Sequence, residues 1–162
     1  MSQRGEVRVG LGFDVHPFSD DPGRVLVLGG VVFEGERGLV GHSDADVVAH
    51  AVTDALLGAA GLGDIGQHFP DTDPIYADAD SLGLLAEASR FVSAEGWRLV
   101  NADCTVVLDA PRMAPHRSAM QDALAAAGGS DVTVKASRPE GMGALGRGEG
   151  VACWAVALVR RQ

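Results

Sequence analysis

The sequence is poor in aromatic residues, cysteine and cations, and it contains no long apolar run. Aromatic side chains make up only 5% of its 162 residues, so a core has to rest on Val, Leu and Ala. Two cysteines, Cys104 and Cys153, with no C-x-x-C pair, match the usage of a reduced, cytoplasmic protein. Lys and Arg total 13 against 22 Asp and Glu, a formal net charge of −9. That balance argues against a chain whose main work is coating nucleic acid or an anionic membrane. A small anionic substrate would need a metal ion or a local cluster of cations. Gly, Asp or Arg interrupts every apolar stretch well before the roughly 20 residues that a membrane helix requires. The opening MSQRGEVRVG has no apolar signal core, so export is not expected.

What is present describes an ordinary folded domain, with 46% hydrophobic and 22% charged residues. The length predicts one domain over residues 1–162. Glycine stands out at 22 residues, roughly twice average usage. Several glycines flank Asp, His or Arg, where a backbone can approach a ligand closely; ordinary turns explain any single one equally well. Segments rich in β-branched residues predict strands at 7–10, 24–28, 31–33, 99–108, 132–136 and 151–159. Helical patterns cover 44–59, 81–94 and 114–126, with Ser43 and Asp80 or Ser81 as N-caps and Gly128 as a stop. Strands mixed with a few helices, without strict βαβ alternation, predict an α/β fold: a mixed β-sheet with helices packed on one face. Residues 61–80 and 136–150 are dense in Gly, Pro and Asp and read as long loops, the places to look for substrate contacts.

Asp14 and His16 form a D-x-H pair after the first strand. In an extended segment they project from one face, as an Asp–His hydrogen bond or as two metal ligands. Asp46, His50 and Asp54 make a polar seam at i, i+4 and i+8 on an otherwise apolar helix. A histidine there needs partners for both ring nitrogens. It is either a core residue bonded to Asp46 or Asp54, or a metal ligand with one of those carboxylates orienting it. Asp14, His16 and His50 together would be a two-His, one-carboxylate set with a position left open, as in catalytic zinc sites. His42 precedes the helix, where free N–H groups and the positive dipole end favour an oxyanion, or it is simply a loop residue.

Four stretches occur in order: GLGFDVHPF from residue 10, GHSDADVVAHAVTDALLGAAGLGDIGQHFPDTDP from residue 41, DAPRMAPH from residue 109, and GRGEGVAC from residue 146. Together they closely resemble the 2-C-methyl-D-erythritol 2,4-cyclodiphosphate synthases of the non-mevalonate isoprenoid pathway, over nearly the whole chain. The resemblance implies an α/β subunit assembled as a homotrimer with active sites between subunits. It implies Zn2+ on Asp14, His16 and His50, and Mg2+ or Mn2+ on Glu140 and the substrate phosphates. His42 matches a residue set against the reacting phosphates. Asp14, Val15, His16, His42 and Ser43 match residues that border the substrate in that family. Asp64, Ile65 and Gly66 with Phe69, Pro70, Asp71, Thr72 and Asp73 match the loop that receives methylerythritol. Leu108, Asp109, Ala110, Pro111, Arg112, Met113 and Ala114, with Ser137, Arg138, Pro139 and Glu140, match the segments for cytidine and diphosphate. Ala144 and Arg147 fall near the trimer axis; there Arg147 and Glu149 match a charged ring beside a cavity that can hold an isoprenoid diphosphate.

The implied reaction converts 4-diphosphocytidyl-2-C-methyl-D-erythritol 2-phosphate to a 2,4-cyclodiphosphate and CMP. The attacking phosphate is already ionised near neutral pH, so positioning and charge neutralisation matter more than a strong base. Two departures from the family pattern stand out. Ser137-Arg138-Pro139-Glu140 replaces T-T-T-E, so Arg138 occupies the place of a threonine assigned a transition-state role. Ala144 replaces a phenylalanine at the mouth of the axial cavity. A zinc-dependent phosphohydrolase, or a trimer that binds nucleotide or isoprenoid diphosphate without turnover, are the alternatives to synthase activity.

Overall fold

The structure, a computed structural model, describes residues 5–162. In chain order the elements are β1 (Val7–Pro17), β2 (Val25–Leu28), β3 (Val31–Arg37), α1 (Val47–Ala60), α2 (Ile65–His68), α3 (Ser81–Ala94), β4 (Trp97–Val107), α4 (Arg117–Gly128), β5 (Asp131–Ser137), α5 (Gly143–Gly146) and β6 (Gly150–Arg161). Single 3-10 turns occur at Pro74–Tyr76 and Ala114–His116.

Four strands form one sheet in the order β1-β6-β4-β5, and β2 and β3 form a separate hairpin. β1 and β4 both run antiparallel to β6, whereas β5 runs parallel to β4 through the α4 crossover. The sheet is therefore mixed, as the segment pattern predicted. Helices cover one face: α1 lies on β1 and β6, α4 on β5, and α3 packs against α1 and α4. Their apolar sides meet the inward residues of the sheet, among them Ala102, Cys104, Val106, Cys153, Ala155 and Ala157. The shortage of aromatics shows directly. Phe33, Phe69 and Trp97 are the buried aromatics, and aliphatic side chains such as Leu26, Leu28, Leu56, Leu57 and Leu85 fill most of the core. Each fully buried Leu contributes about 1.5–3 kcal/mol of transfer free energy. Among the described residues no helix is long and apolar enough to cross a membrane.

Several expected boundaries move. β1 runs to Pro17 instead of ending at residue 10, because it pairs with β6 along its full length, from Val7 opposite Arg160 to Pro17 opposite Gly150. Asp14 and His16 therefore lie inside the strand. α1 begins at Val47 instead of residue 44, and its N-cap is Asp46, not Ser43. α3 covers the expected 81–94, capped by Asp80. The third expected helix divides into the turn Ala114–His116 and α4, whose C-cap is Gly129 in the left-handed conformation, with Gly128 as its last residue. The supposed loop at 61–80 contains α2 and a 3-10 turn, capped by Asp64 and Asp73 side chains. The stretch 136–150 contains α5.

Candidate metal centre and its two cavities

The centre is built on the inward face of β1, where Gly10, Gly12, Asp14 and His16 follow one another at every second position. The two glycines let α1 lie directly on the strand. A Cβ on Gly12 would sit 1.9 Å from the Ala51 carbonyl oxygen, and one on Gly10 would sit 2.1 Å from that of Ala55. The helix therefore presents small residues to the strand at this contact. Two residues further along β1, the same face carries Asp14 and then His16, level with the first turn of α1.

Asp46 fixes where that helix starts. Its fully buried carboxylate accepts from Val48 N–H and Ala49 N–H at 3.0 and 3.1 Å. It also accepts from Gly29 N–H and Gly30 N–H, in the β2–β3 turn, at 2.8 and 2.6 Å. Burial pushes its carboxyl above the usual range, helped by the nearby Asp44 charge, and the Ala49, Gly30 and Gly29 N–H donors oppose that. His50 follows one turn later, its N–H bonded to the Asp46 carbonyl. Asp46 is thus a capping residue, and neither it nor Asp54 orients the His50 ring. Asp54 instead accepts from Ile65 N–H at 3.1 Å. The side chain of Asp46 thus takes the second and third amides of α1, Val48 and Ala49.

The imidazole tautomers follow from their partners. His16 Nδ1–H donates to the Val40 carbonyl at 2.6 Å, so its bare Nε2 faces Asp14 Oδ2 at 3.0 Å. The Ser81 hydroxyl donates to Asp44, leaving its oxygen to accept from His50 Nε2–H at 2.8 Å. Ser43 Oγ lies 3.2 Å from the same nitrogen. His50 Nδ1 is then the bare atom, 2.9 Å from Asp14 Oδ2. Two lone pairs and a carboxylate oxygen converge, with all ligand atoms within 4.8 Å of one another. Such a set is stable only with a proton or a cation at its centre, and its chemistry fits a divalent metal. The electrostatics of the cluster agree. Burial resists ionisation of Asp14, yet bonds and charge from His16 and His50 outweigh it and hold the carboxyl well below the usual range. Burial also disfavours charge on His16, and Asp14 overcomes it and raises that imidazole above its ordinary value.

A cavity of about 240 Å³ opens beside these ligands, bordered by His16, His42, Ser43, His50, Ile65, Phe69, Asp71, Tyr76 and others. His42 is exposed at its rim, with Nε2–H directed to the Asp73 carbonyl at 3.2 Å. Of the expected methylerythritol loop, Ile65, Phe69 and Asp71 line this cavity, whereas Asp64, Gly66, Pro70 and Thr72 do not. Asp64 caps α2 through Gln67 N–H. Phe69 anchors the loop by packing on Tyr76 and Phe91.

A second cavity of about 460 Å³ is lined by Leu108, Asp109, Ala110, Pro111, Arg112, Met113 and Ala114, together with Arg117, Ala136, Ser137 and Arg138. Three guanidinium groups thus border one hollow in an acidic chain, and Arg138 lies 3.7 Å from Asp109. The two cavities share no residue. Pro139 is buried, and Glu140 is exposed with φ of 54°; neither borders this hollow, nor do Ala144 and Arg147. Arg147 is paired with its own Glu149 at 2.6 Å. Val15 is about half exposed on the opposite face of β1 from Asp14 and His16.

Sequence reasoning missed Ser81, Asp44 and the Val40 carbonyl as partners of the ligands. Ser81 is 31 residues from His50, and no local pattern signals that separation. Arg117 was also missed, since its place on the second cavity depends on how α4 docks.

A family model described as the YgbB family matches residues 7–160. The chain is 58% identical over 161 residues to the 2-C-methyl-D-erythritol 2,4-cyclodiphosphate synthase of Rubrobacter xylanophilus, covering 97% of each chain. The bifunctional IspDF of Campylobacter jejuni superposes with a TM-score of 0.92 and 40% identity, over 98% of this chain and 43% of that one. A CDP-bound form of 2C-methyl-D-erythritol-2,4-cyclodiphosphate synthase matches with a TM-score of 0.84 and 39% identity, over 94% of this chain and 99% of that one.

Proposed function

The chain belongs to the YgbB family, the 2-C-methyl-D-erythritol 2,4-cyclodiphosphate synthases of isoprenoid biosynthesis, and on that basis we propose its substrate, metals and mechanism. The substrate is 4-diphosphocytidyl-2-C-methyl-D-erythritol 2-phosphate. An oxygen of the 2-phosphate bonds to the β-phosphorus of the diphosphate. The bond from that phosphorus to the α–β bridging oxygen breaks, and CMP leaves with the oxygen. No water is consumed. The observation that carries this reading is the Asp14–His16–His50 donor set opening into the cavity that His42 borders.

Asp14, His16 and His50 would hold Zn2+, which would supply positive charge to phosphate oxygens. Glu140 would hold Mg2+ or Mn2+, which would supply further positive charge. The Val40 carbonyl and Ser81 orient the two imidazoles, and His42 stands at the cavity rim beside a reacting phosphate. Ile65, Phe69 and Asp71 receive the methylerythritol portion. The second cavity takes cytidine and diphosphate, and Arg138 supplies a guanidinium for a phosphate where the family has a hydroxyl. The CDP-bound relative supports a nucleotide at this fold.

The working unit is a homotrimer in the cytoplasm. Two features support a shared site. The metal-side and nucleotide-side cavities have no residue in common within one chain. On the outward face of β1, Val7, Val9, Leu11, Phe13 and Val15 are between 47% and 66% exposed. Trp154 and Val156 of β6 extend the patch, and an apolar face of this kind marks an interface. Arg147 and Glu149 near the axis would face an isoprenoid diphosphate.

Phosphorus NMR of the protein with this substrate, zinc and magnesium tests the reading. The expected products are CMP and a cyclic diphosphate. A water-derived phosphate monoester, or binding without turnover, would overturn it.

A further inference from the structure

We propose that Ser81, set by Asp44, is the positioning residue that fixes the His50 ring for metal binding, an inference that rests on the metal assignment above.

A neutral imidazole has two tautomers of similar energy, and only one leaves Nδ1 bare. The neighbour of His50 Nδ1 is the Asp14 carboxylate at 2.9 Å. Left to itself, the ring would favour Nδ1–H, because that proton would bond the carboxylate. The proton would then sit where the metal must bind. The fold prevents this from the other side of the ring. Ser81 is fully buried at the first position of α3. Its backbone N–H donates to Asp44 Oδ2 at 3.1 Å and its hydroxyl donates to Asp44 Oδ1.

A carboxylate accepts only, so the Ser81 proton is committed to it. The Ser81 oxygen can then only accept, and the group it faces is His50 Nε2, which must carry the hydrogen. Asp44 is itself held by Asp46 N–H at 3.1 Å and by its own N–H to the Ala79 carbonyl. The arrangement has the logic of outer-sphere partners that set tautomer and ring angle at metal-bound histidines. It also joins a metal ligand to the end of the 61–80 segment that carries substrate-cavity residues, since Ala79 and Ser81 flank its last residue.

The test combines the histidine nitrogen spectrum of the metal-free protein with zinc titration, for the native chain, Ser81→Ala and Asp44→Asn. In the metal-free native protein His50 is expected as the Nε2–H form. In Ser81→Ala the Nδ1–H form grows and zinc affinity falls about 10-fold, toward the lower end of the 10- to 100-fold range for outer-sphere partners. Ser43 Oγ at 3.2 Å limits the loss, so Ser43→Ala with Ser81→Ala approaches about 100-fold. Asp44→Asn can present N–H to Ser81 and turn its hydroxyl toward His50, giving the Nδ1–H form without deleting the serine. It tests the proposal independently of how well Ser81→Ala folds. A native-like tautomer and zinc affinity within twofold in both variants would overturn the positioning role. Absence of zinc binding by the native chain would overturn the metal assignment, and the nitrogen spectrum would still decide the tautomer argument.

Discussion

On one side of β1 the alternating residues are Gly10, Gly12, Asp14 and His16; on the other they are Val7, Val9, Leu11, Phe13 and Val15. The inward set carries almost no apolar side-chain volume, yet it is the side covered by a helix. The outward set is strongly apolar, yet its members remain about half exposed or more. Inside, missing side chains let backbones approach, and that approach brings His50 from α1 to the two ligands on the strand. Outside, apolar side chains stand in water on a single chain. The same eleven residues thus place a candidate metal centre on one face, by omission of side chains, and an exposed apolar row on the other.

The contrast can be broken from either side. Gly12→Ala should have the largest effect, since its Cβ would stand 1.9 Å from a helix carbonyl and 2.6 Å from Ala55 N. Backbone atoms cannot yield as a flexible side chain can. A loss on the order of 3 kcal/mol is expected, read as a drop in melting temperature together with lost zinc. Unchanged stability would mean the helix does not sit on the strand. His50→Ala should leave folding largely intact, abolish zinc retention and lower turnover at least about 100-fold; elemental analysis showing native zinc content would refute the ligand assignment.

On the outward face, Leu11→Asp should weaken assembly about tenfold or more, since burying a leucine is worth about 1.5–3 kcal/mol. Zinc content should be unaffected, and sedimentation that still finds the native assembly would exclude this face as the contact. A pH series gives a smaller, graded effect. Asp14 raises the His16 imidazole, so the metal-free ring holds its proton below its ordinary range and releases it as pH rises through the raised one. Zinc must displace that proton, so affinity should climb through this window and level above it. Asp14→Asn removes the cause and should move the window to lower pH while weakening the site. A pH-independent affinity would contradict the shared proton. Arg138→Thr should change turnover least, roughly tenfold or less, with steady-state kinetics deciding whether the guanidinium helps or hinders.

The residues show why some features were legible in advance. Alternation and β-branching located all six strands, and the Asp80 cap followed by an apolar period placed α3. Local chemistry decides such features, because each rests on neighbours within one turn or one pleat. β1 was read too short because two glycines depress local strand propensity, and full-length pairing with β6 overrides that. α2 and the turn at Pro74–Tyr76 were hidden because they are shorter than any helical period. The two short turns are held by single carboxylate caps.

For the centre, the linear pattern identified Asp14, His16 and His50 as candidates and left open whether the histidine was a ligand or a satisfied core residue. It also favoured Asp46 and Asp54 as orienting partners, which in the fold cap α1 and hold α2. Residue type and short spacing thus determined, from the chain alone, the mixed α/β class, the acidic character and the aliphatic core, and marked Asp14, His16 and His50 as candidates. Only the tertiary structure decided which nitrogen of His50 faces Asp14, that Ser81 and Asp44 stand on the other side of that ring, and that the arginine-bordered cavity shares no residue with the one beside His16 and His50. Those outcomes depend on distances of about 3 Å between groups tens of residues apart. Separation along a chain does not specify such distances; packing does.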